Sequence, residues 1–126
     1  MILSKIENRP PNRHHPGGEV VQEITGLAVG DVASHSLAEV RFPSGGFSEA
    51  HYHKISEESC LILAGEARLI VDDREFHLAW GDAVVIQPLE VHQISNPGEK
   101  ELVFLAVCVP ARTPDDSFPA EEMGRE

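Results

Sequence analysis

The chain has 126 residues, a length typical of a single domain. Apolar residues make up 41% and charged residues 25%, an ordinary balance for a globular protein. The formal net charge of −11 argues against nucleic acids and anionic membrane surfaces as partners, because both require a cationic surface. No apolar run is long enough to span a membrane, residues 1–9 lack the apolar core of a secretion signal, and the two cysteines do not make a disulfide framework. The cytoplasm is therefore the expected compartment.

Glycine and proline residues separate short apolar runs, a pattern typical of strands joined by turns. In chain order, strands are predicted over residues 1–7, 20–29, 34–42, 47–53, 59–64, 66–71, 74–78, 83–86, 91–95 and 101–109. Residues 8–18 predict an irregular loop in which His14 and His15 are exposed. No window shows the apolar period of a helix, so the fold class is all-β, a sandwich or a barrel.

The C-terminal residues differ in composition from the rest of the chain. Residues 113–126 are acidic and contain prolines but no apolar period, which predicts a weakly ordered tail. The predicted domain is then a single barrel over residues 1–112, including the first strand, which has no obvious partner within the barrel. That strand is expected to pair with a second copy across a two-fold axis, which predicts a homodimer.

The residues with chemical potential begin at Gly45. His51 and His53 are separated by one residue on an extended segment, so both imidazoles face the same side. Glu58 follows after a short connection, and His92 begins a later strand. Three imidazoles and a carboxylate would suit one divalent Mn, Fe, Co, Ni, Cu or Zn ion, and ligand softness does not choose among these metals.

Each of these residues alone has an ordinary explanation, because histidines are common on surfaces and at strand ends. Their combined spacing with glycines carries the interpretation. Residues 45–65 follow the pattern G-x5-HxH-x4-E-x6-G, formed by Gly45, His51, His53, Glu58 and Gly65. Residues 81–96 carry a second pattern, with glycine, histidine and asparagine at Gly81, His92 and Asn96.

These two motifs resemble those of the cupins. The second motif of that family has a proline and a glycine where this chain has Gln87 and Leu89, with Pro88 between them. The resemblance implies a double-stranded β-helix, a small jelly-roll barrel. It also implies that His51, His53, Glu58 and His92 bind one metal ion.

Several further residues are predicted around this site. Strand alternation places Cys60 on the face of Glu58 and leaves Glu57 in solvent. Cys60 is either a reactive thiol or a small apolar residue, and the second interpretation is preferred. The candidate walls of a substrate pocket are Phe47, Cys60, Ile62, Ile94 and Phe104.

The resemblance implies a metal-dependent enzyme that acts on a small oxygen-rich molecule by oxygenation, decarboxylation or isomerisation. No separate general base is evident in the sequence. The alternative is a non-catalytic cupin that binds or senses a small ligand or a metal. In either case the expected partner is a small molecule, and a chelator with two oxygens would suit two open positions on the metal.

Overall fold

The computed structural model describes residues 1–13 and 15–123, and the fold they form is almost entirely β. His14 and residues 124–126 lie outside the described residues. Three short 3₁₀ helices cover Ile6–Asn8, Pro114–Asp116 and Ala120–Glu122. The strands are β1 (Val20–Thr25), β2 (Ser36–Phe42), β3 (His51–Tyr52), β4 (Glu57–Ala64), β5 (Ala67–Val71), β6 (Arg74–Leu78), β7 (Ala83–Ile86), β8 (His92–Ser95), β9 (Leu102–Val109) and β10 (Phe118–Pro119).

The strands form two five-stranded antiparallel sheets. One has the order β1-β2-β9-β4-β7 and the other β10-β3-β8-β5-β6. Apolar residues alternate with polar ones along the strands, so each sheet turns one apolar face to the other and buries it. The core is made of Val40, Phe42, Cys60, Ile62, Ala67, Leu69, Ile86, Ile94, Leu102, Phe104 and Ala106. The all-β prediction is confirmed, and so is a two-sheet barrel.

The prediction of a strand over residues 1–7 is wrong. This segment contains no strand and ends in the first 3₁₀ helix, and the side chains of Met1, Ile2 and Leu3 are exposed. The free edge of β1 is instead covered by the segment that follows the first 3₁₀ helix and precedes β1. Asn12 forms a bridge with Val21 there. The homodimer stays a prediction, but no strand in residues 1–7 supports it.

The structure also differs from the expectation of a weakly ordered tail. Within residues 113–123, β10 pairs with β3, and the ring of Phe118 stacks on Tyr52 with centroids 5.5 Å apart. Just before β10, the buried side chain of Asp116 contacts the loop between β3 and β4. The order of this segment could not be predicted from apolar periodicity, because one aromatic ring and one carboxylate make its contacts with the barrel.

Candidate metal centre

The two sheet strands β3 and β8 bring the predicted ligands together. His51 of β3 lies directly opposite His92 of β8, and their ring centroids are 4.2 Å apart. His53 follows β3, with its ring centroid 5.1 Å from that of His51 and 5.4 Å from that of His92. Glu58 enters from the other sheet, near the start of β4. The barrel thus gathers residues that are as far apart as 51 and 92 in sequence.

The ligand atoms of these residues converge on one point. One nitrogen from each of His51, His53 and His92 lies within 4.8 Å of the others. The Oε1 atom of Glu58 is 3.6 Å from Nε2 of His53 and 3.7 Å from Nε2 of His92. Glu57 is exposed, as strand alternation predicts. All four residues predicted from the two motifs therefore meet in space.

Backbone carbonyls fix the orientation of each ring. The Nδ1 atom of His51 is 2.7 Å from the carbonyl oxygen of Glu49. Nδ1 of His92 is 3.0 Å from the carbonyl of Glu90, and Nδ1 of His53 is 2.6 Å from the carbonyl of Asp116. A carbonyl only accepts, so Nδ1 carries the proton and each Nε2 presents its lone pair. Outer contacts of this kind are typical of metal-binding histidines.

The residues present fit a metal ion. Nε2 of His92 is buried and has no hydrogen-bond partner among the described residues. A buried polar atom without a partner costs free energy, so its orientation toward two other imidazoles and a carboxylate needs an explanation. A cation at this point would supply the missing partner. Three nitrogens and one carboxylate oxygen form a donor set suited to a divalent transition metal.

The pKa values of His51 and Glu58 favour the protonation states that bind metals, whereas that of His53 favours the imidazolium. Burial and the neighbouring His92 lower the pKa of His51 to about 4. Burial would also lower the pKa of His53, but the contact with Glu58 outweighs it and raises that pKa. Burial opposes ionisation of Glu58, yet His53 and His92 hold the pKa of its carboxyl well below the usual range. Glu58 is therefore a carboxylate and His51 a neutral imidazole near pH 7.

The four residues open onto a cavity of about 310 Å³ between the two sheets. Of the predicted pocket walls, Phe47, Ile94 and Phe104 line this cavity. Cys60 and Ile62 are buried in the core instead. The Sγ atom of Cys60 is 3.5 Å from Oε2 of Glu58, and burial raises the pKa of its thiol well above the usual value. Cys60 is thus a small core residue, as the preferred interpretation had it.

Three residues that the sequence does not predict also bear on this site. Asp116 supplies the carbonyl that orients His53, and its carboxylate accepts hydrogen bonds from the backbone N–H groups after His53. Glu19 and Arg112 line the cavity. None of the three belongs to a motif, and their distances along the chain from the histidines hide the contacts.

The prediction for His15 is also corrected. His15 is half-buried rather than exposed, and its Nδ1 is 3.1 Å from Oε1 of Glu19. The turn at Gly17 and Gly18 folds the loop back onto the barrel and carries His15 inward, with the backbone of Gly17 accepting a hydrogen bond from Phe47 N.

The motif positions keep their backbone roles. Gly45, Gly65 and Gly81 all have φ between 77° and 85°, as expected for glycines at strand ends. Asn96 is fully buried and donates to the carbonyls of Phe42, Pro43 and Lys100, which ties the turn after β8 to the barrel.

The departure from the second motif leaves the turn before His92 intact. Leu89, at the position of the family glycine, has a φ of 73°. Glu90 N donates to the carbonyl of Gln87 at 3.2 Å and closes a four-residue turn that contains Pro88. Proline at the second position and a positive φ at the third are features of a type II turn. Leucine therefore adopts a glycine-like conformation here and His92 keeps its position.

Comparisons with known proteins identify the class of this molecule. The family model for the cupin domain matches residues 38–108, more than half of the chain. The chain belongs to the cupin family, and its two-sheet barrel is the double-stranded β-helix of that family. The predicted fold and resemblance are both confirmed.

Three individual proteins illustrate the similarity. An uncharacterized protein of Methanocaldococcus jannaschii is 30% identical over 121 residues, which cover 93% of this chain and 97% of the relative. The structure of oxalate decarboxylase from Lactobacillus farciminis in complex with formate matches with a TM-score of 0.78 and 27% identity, over 92% of this chain and 35% of that chain. The polyketide cyclase RemF from Streptomyces resistomycificus matches with a TM-score of 0.79 and 20% identity, over 95% of this chain and 85% of that one. This chain therefore spans about a third of the decarboxylase, and its likeness to the cyclase shows the fold alone.

Among the described residues, no helix is long and apolar enough to cross a membrane.

Proposed function

We propose that this cupin is a metal-dependent enzyme that acts on a small oxygen-rich molecule. The observation that carries the proposal is the convergence of three oriented imidazoles and the Glu58 carboxylate, where the buried Nε2 of His92 has no hydrogen-bond partner in the described part of the chain. His51, His53, Glu58 and His92 would hold one divalent transition-metal ion. Such an ion supplies Lewis acidity, which polarises a bound oxygen.

The surroundings of the site support a small chelating substrate. The cavity beside the histidines has the size of a site for a small organic molecule. Its walls combine the apolar side chains of Phe47, Ile94 and Phe104 with polar groups near the imidazoles. A 2-oxo acid, a 2-hydroxy acid, oxalate or a catechol would present two oxygens to the metal. The chain's net charge of −11 would oppose an anion at a distance, but salt screens that field over about 8 Å, so the ion itself decides binding.

Elemental analysis of protein purified without an affinity chelator tests the metal assignment. Wild type should hold one transition-metal ion per chain, and the double variant His51→Ala/His53→Ala should hold almost none. His77→Ala is the matched control, because the side chain of His77 is exposed and does not line the cavity. Equal metal content in wild type and the double variant would refute the assignment.

Calorimetry then tests the ligand class. Oxalate should bind the metal-loaded protein more tightly than acetate, which has only one carboxylate, and neither should bind metal-free protein at this site. Turnover assays with 2-oxo and 2-hydroxy acids follow with the same samples. Chelators that bind without being converted would favour the alternative, a non-catalytic ligand-binding cupin.

A further inference from the structure

A second group of ionisable side chains lies in the cavity beside the candidate metal centre. Glu19, His15 and Arg112 all line it, together with His51, His53, Glu58 and His92. None of the three is part of the metal-binding set. Oε1 of Glu19 is 3.1 Å from Nδ1 of His15, and only 16% of the Glu19 side chain is exposed. The cavity thus holds a mostly buried carboxyl group that metal binding leaves unused.

The backbone around Glu19 holds this carboxyl in a defined place. The carbonyl of Gly17 accepts a hydrogen bond from Phe47 N at 3.1 Å, and Gly18 pairs with Phe47 in a parallel bridge. The contact is so close that a Cβ atom on Gly17 would lie 1.8 Å from the carbonyl oxygen of Phe47. Glu19 is followed directly by β1, which is paired with β2. Glu19 is therefore fixed between a tight loop contact and a strand.

The environment of Glu19 suits a group that exchanges protons near neutral pH. Burial raises the pKa of its carboxyl to about 7, the charge of Arg112 opposes this rise, and the charge of Glu58 adds to it. The other ionisable groups that line the cavity near it are His15 on the same loop, Glu23 on β1, Glu49 before β3 and Cys108 on β9. A carboxyl with a pKa close to the working pH can act as both base and acid, which suits general acid–base catalysis.

We propose that Glu19 is the proton-transfer residue of this enzyme and that the reaction is an isomerisation of a small carbonyl compound with a hydrogen on the carbon next to its carbonyl group. The proposal rests on the proposed function, because the substrate is the chelating molecule bound beside the histidines. It also supplies the base for which the motifs offer no candidate.

The proton transfer balances without a co-reactant. The Glu19 carboxylate takes the proton from the carbon, and the electron pair of the broken C–H bond becomes the C=C bond of an enolate. In a substrate that carries a hydroxyl group on that carbon, the hydroxyl proton moves to the enolate oxygen, and the protonated Glu19 returns its proton on the same face to the former carbonyl carbon. The carbonyl group thereby moves to the neighbouring carbon. Nothing is oxidised or reduced overall.

The test uses pyruvate, which is both a two-oxygen chelator and a carbonyl compound with exchangeable methyl hydrogens. Metal-loaded protein is incubated with pyruvate in D₂O, and proton NMR follows deuterium uptake at the methyl group. Glu19→Gln should exchange at least about 100-fold more slowly than wild type. Glu99→Gln, the same change at an exposed carboxyl between β8 and β9, should exchange within about twofold of wild type.

Two measurements besides the exchange rate separate a catalytic from a structural role. Carbon NMR of metal-free wild type should show a carboxyl that titrates near pH 7 and is missing in Glu19→Gln. Calorimetry should show oxalate binding to both metal-loaded proteins. The exchange rate of wild type should rise as the pH rises through this titration, because the base form is the carboxylate, and the rise should be lost in Glu19→Gln.

The outcomes are distinct. If oxalate does not bind metal-loaded wild type, the proposed function fails and this inference fails with it. If oxalate binds but wild type exchanges pyruvate no faster than the free metal ion, or Glu19→Gln exchanges as fast as wild type, the role of Glu19 is refuted while the metal site stands. Should Glu19→Gln fail to fold by circular dichroism, Glu19→Asp replaces it. The shorter side chain should keep the titrating carboxyl and still lose most of the exchange rate, and an undiminished rate would overturn the proposal.

Discussion

Asp116 is the residue that joins the C-terminal segment to the candidate metal centre, and its replacement by alanine has predictable consequences. Its carboxylate accepts hydrogen bonds from three successive backbone N–H groups, those of Lys54 at 2.8 Å, Ile55 at 3.1 Å and Ser56 at 2.9 Å. Its own carbonyl oxygen lies 2.6 Å from Nδ1 of His53. Asp116→Ala removes the first three contacts and loosens the support of the fourth.

The size of the effect follows from these contacts. A hydrogen bond to a charged group contributes about 1.5–3 kcal/mol to stability. Lys54 and Ile55 are exposed, so water can replace the carboxylate at their N–H groups, whereas Ser56 is buried and its N–H would lose its acceptor. We therefore expect Asp116→Ala to lower the free energy of unfolding by about 2–3 kcal/mol, out of a total of about 5–15 kcal/mol. Metal affinity should fall about 10- to 100-fold, as for other losses of support behind a ligand.

Denaturant unfolding of metal-free protein measures the first quantity, and competition with a chromophoric chelator measures the second. Asp115→Ala is the control, because Asp115 is the exposed neighbour on the same 3₁₀ helix. Burial would raise the pKa of Asp116, but the N–H groups of Ser56 and its two neighbours lower it below the usual value. The stabilisation is thus present above about pH 4 and disappears as the pH falls through the lowered folded-state pKa, so the two variants should converge in acid. A difference of less than about 0.5 kcal/mol between them at pH 7 would refute the reasoning.

Three further predictions concern the motif positions. Leu89→Gly should raise the free energy of unfolding by about 1 kcal/mol, because Leu89 is exposed and its φ of 73° strains any residue with a Cβ atom. Leu89→Ala keeps the Cβ atom and should give no such gain. Equal melting temperatures of the two variants would contradict this reasoning. Gly65→Ala should lower the free energy of unfolding by more than about 2 kcal/mol, since the new Cβ would lie 2.5 Å from the carbonyl oxygen of Glu101. Gly81→Ala has a similar φ but open space around the new Cβ, and should lower it by about 1 kcal/mol. Urea unfolding would show equal losses for the two variants if the close contact were unimportant. Metal affinity should decrease as the pH falls through the pKa of His53, which lies above the usual value of about 6.5, because a metal needs neutral imidazole. Chelator competition at several pH values would show a constant affinity if protons did not compete.

The four candidate metal ligands could be predicted from the sequence because their positions repeat a pattern of local geometry. Alternation along β3 places His51 and His53 on one face, and the glycines mark the strand ends. Glu19 and Asp116 could not be predicted, since their contacts depend on how the barrel closes. These two carboxyls differ from most other acidic residues only in being buried. The sequence contains many acidic residues and does not show which of them the fold buries.

The three histidines also differ in whether a carbonyl nearby in sequence or a distant one orients the ring. His51 and His92 are each oriented by the carbonyl two residues earlier in the chain, Glu49 and Glu90, so their ring positions depend on local backbone at the start of β3 and β8. His53 has a different support, because its carbonyl partner is Asp116 in the C-terminal segment. A metal that binds His53 in this orientation must therefore favour the docked state of that segment.

This dependence links metal binding to the structure of residues 113–119. A ligand that binds one state of a protein more tightly than another shifts the equilibrium toward that state. The coupling is reciprocal, so stabilising that state raises the affinity for the ligand. The docked segment and a metal bound at the candidate centre would therefore stabilise each other, through the hydrogen bond between His53 and Asp116 and the pairing of β10 with β3. The acidic C-terminal segment, which composition alone assigns to a tail, is in this sense an outer part of the candidate metal centre.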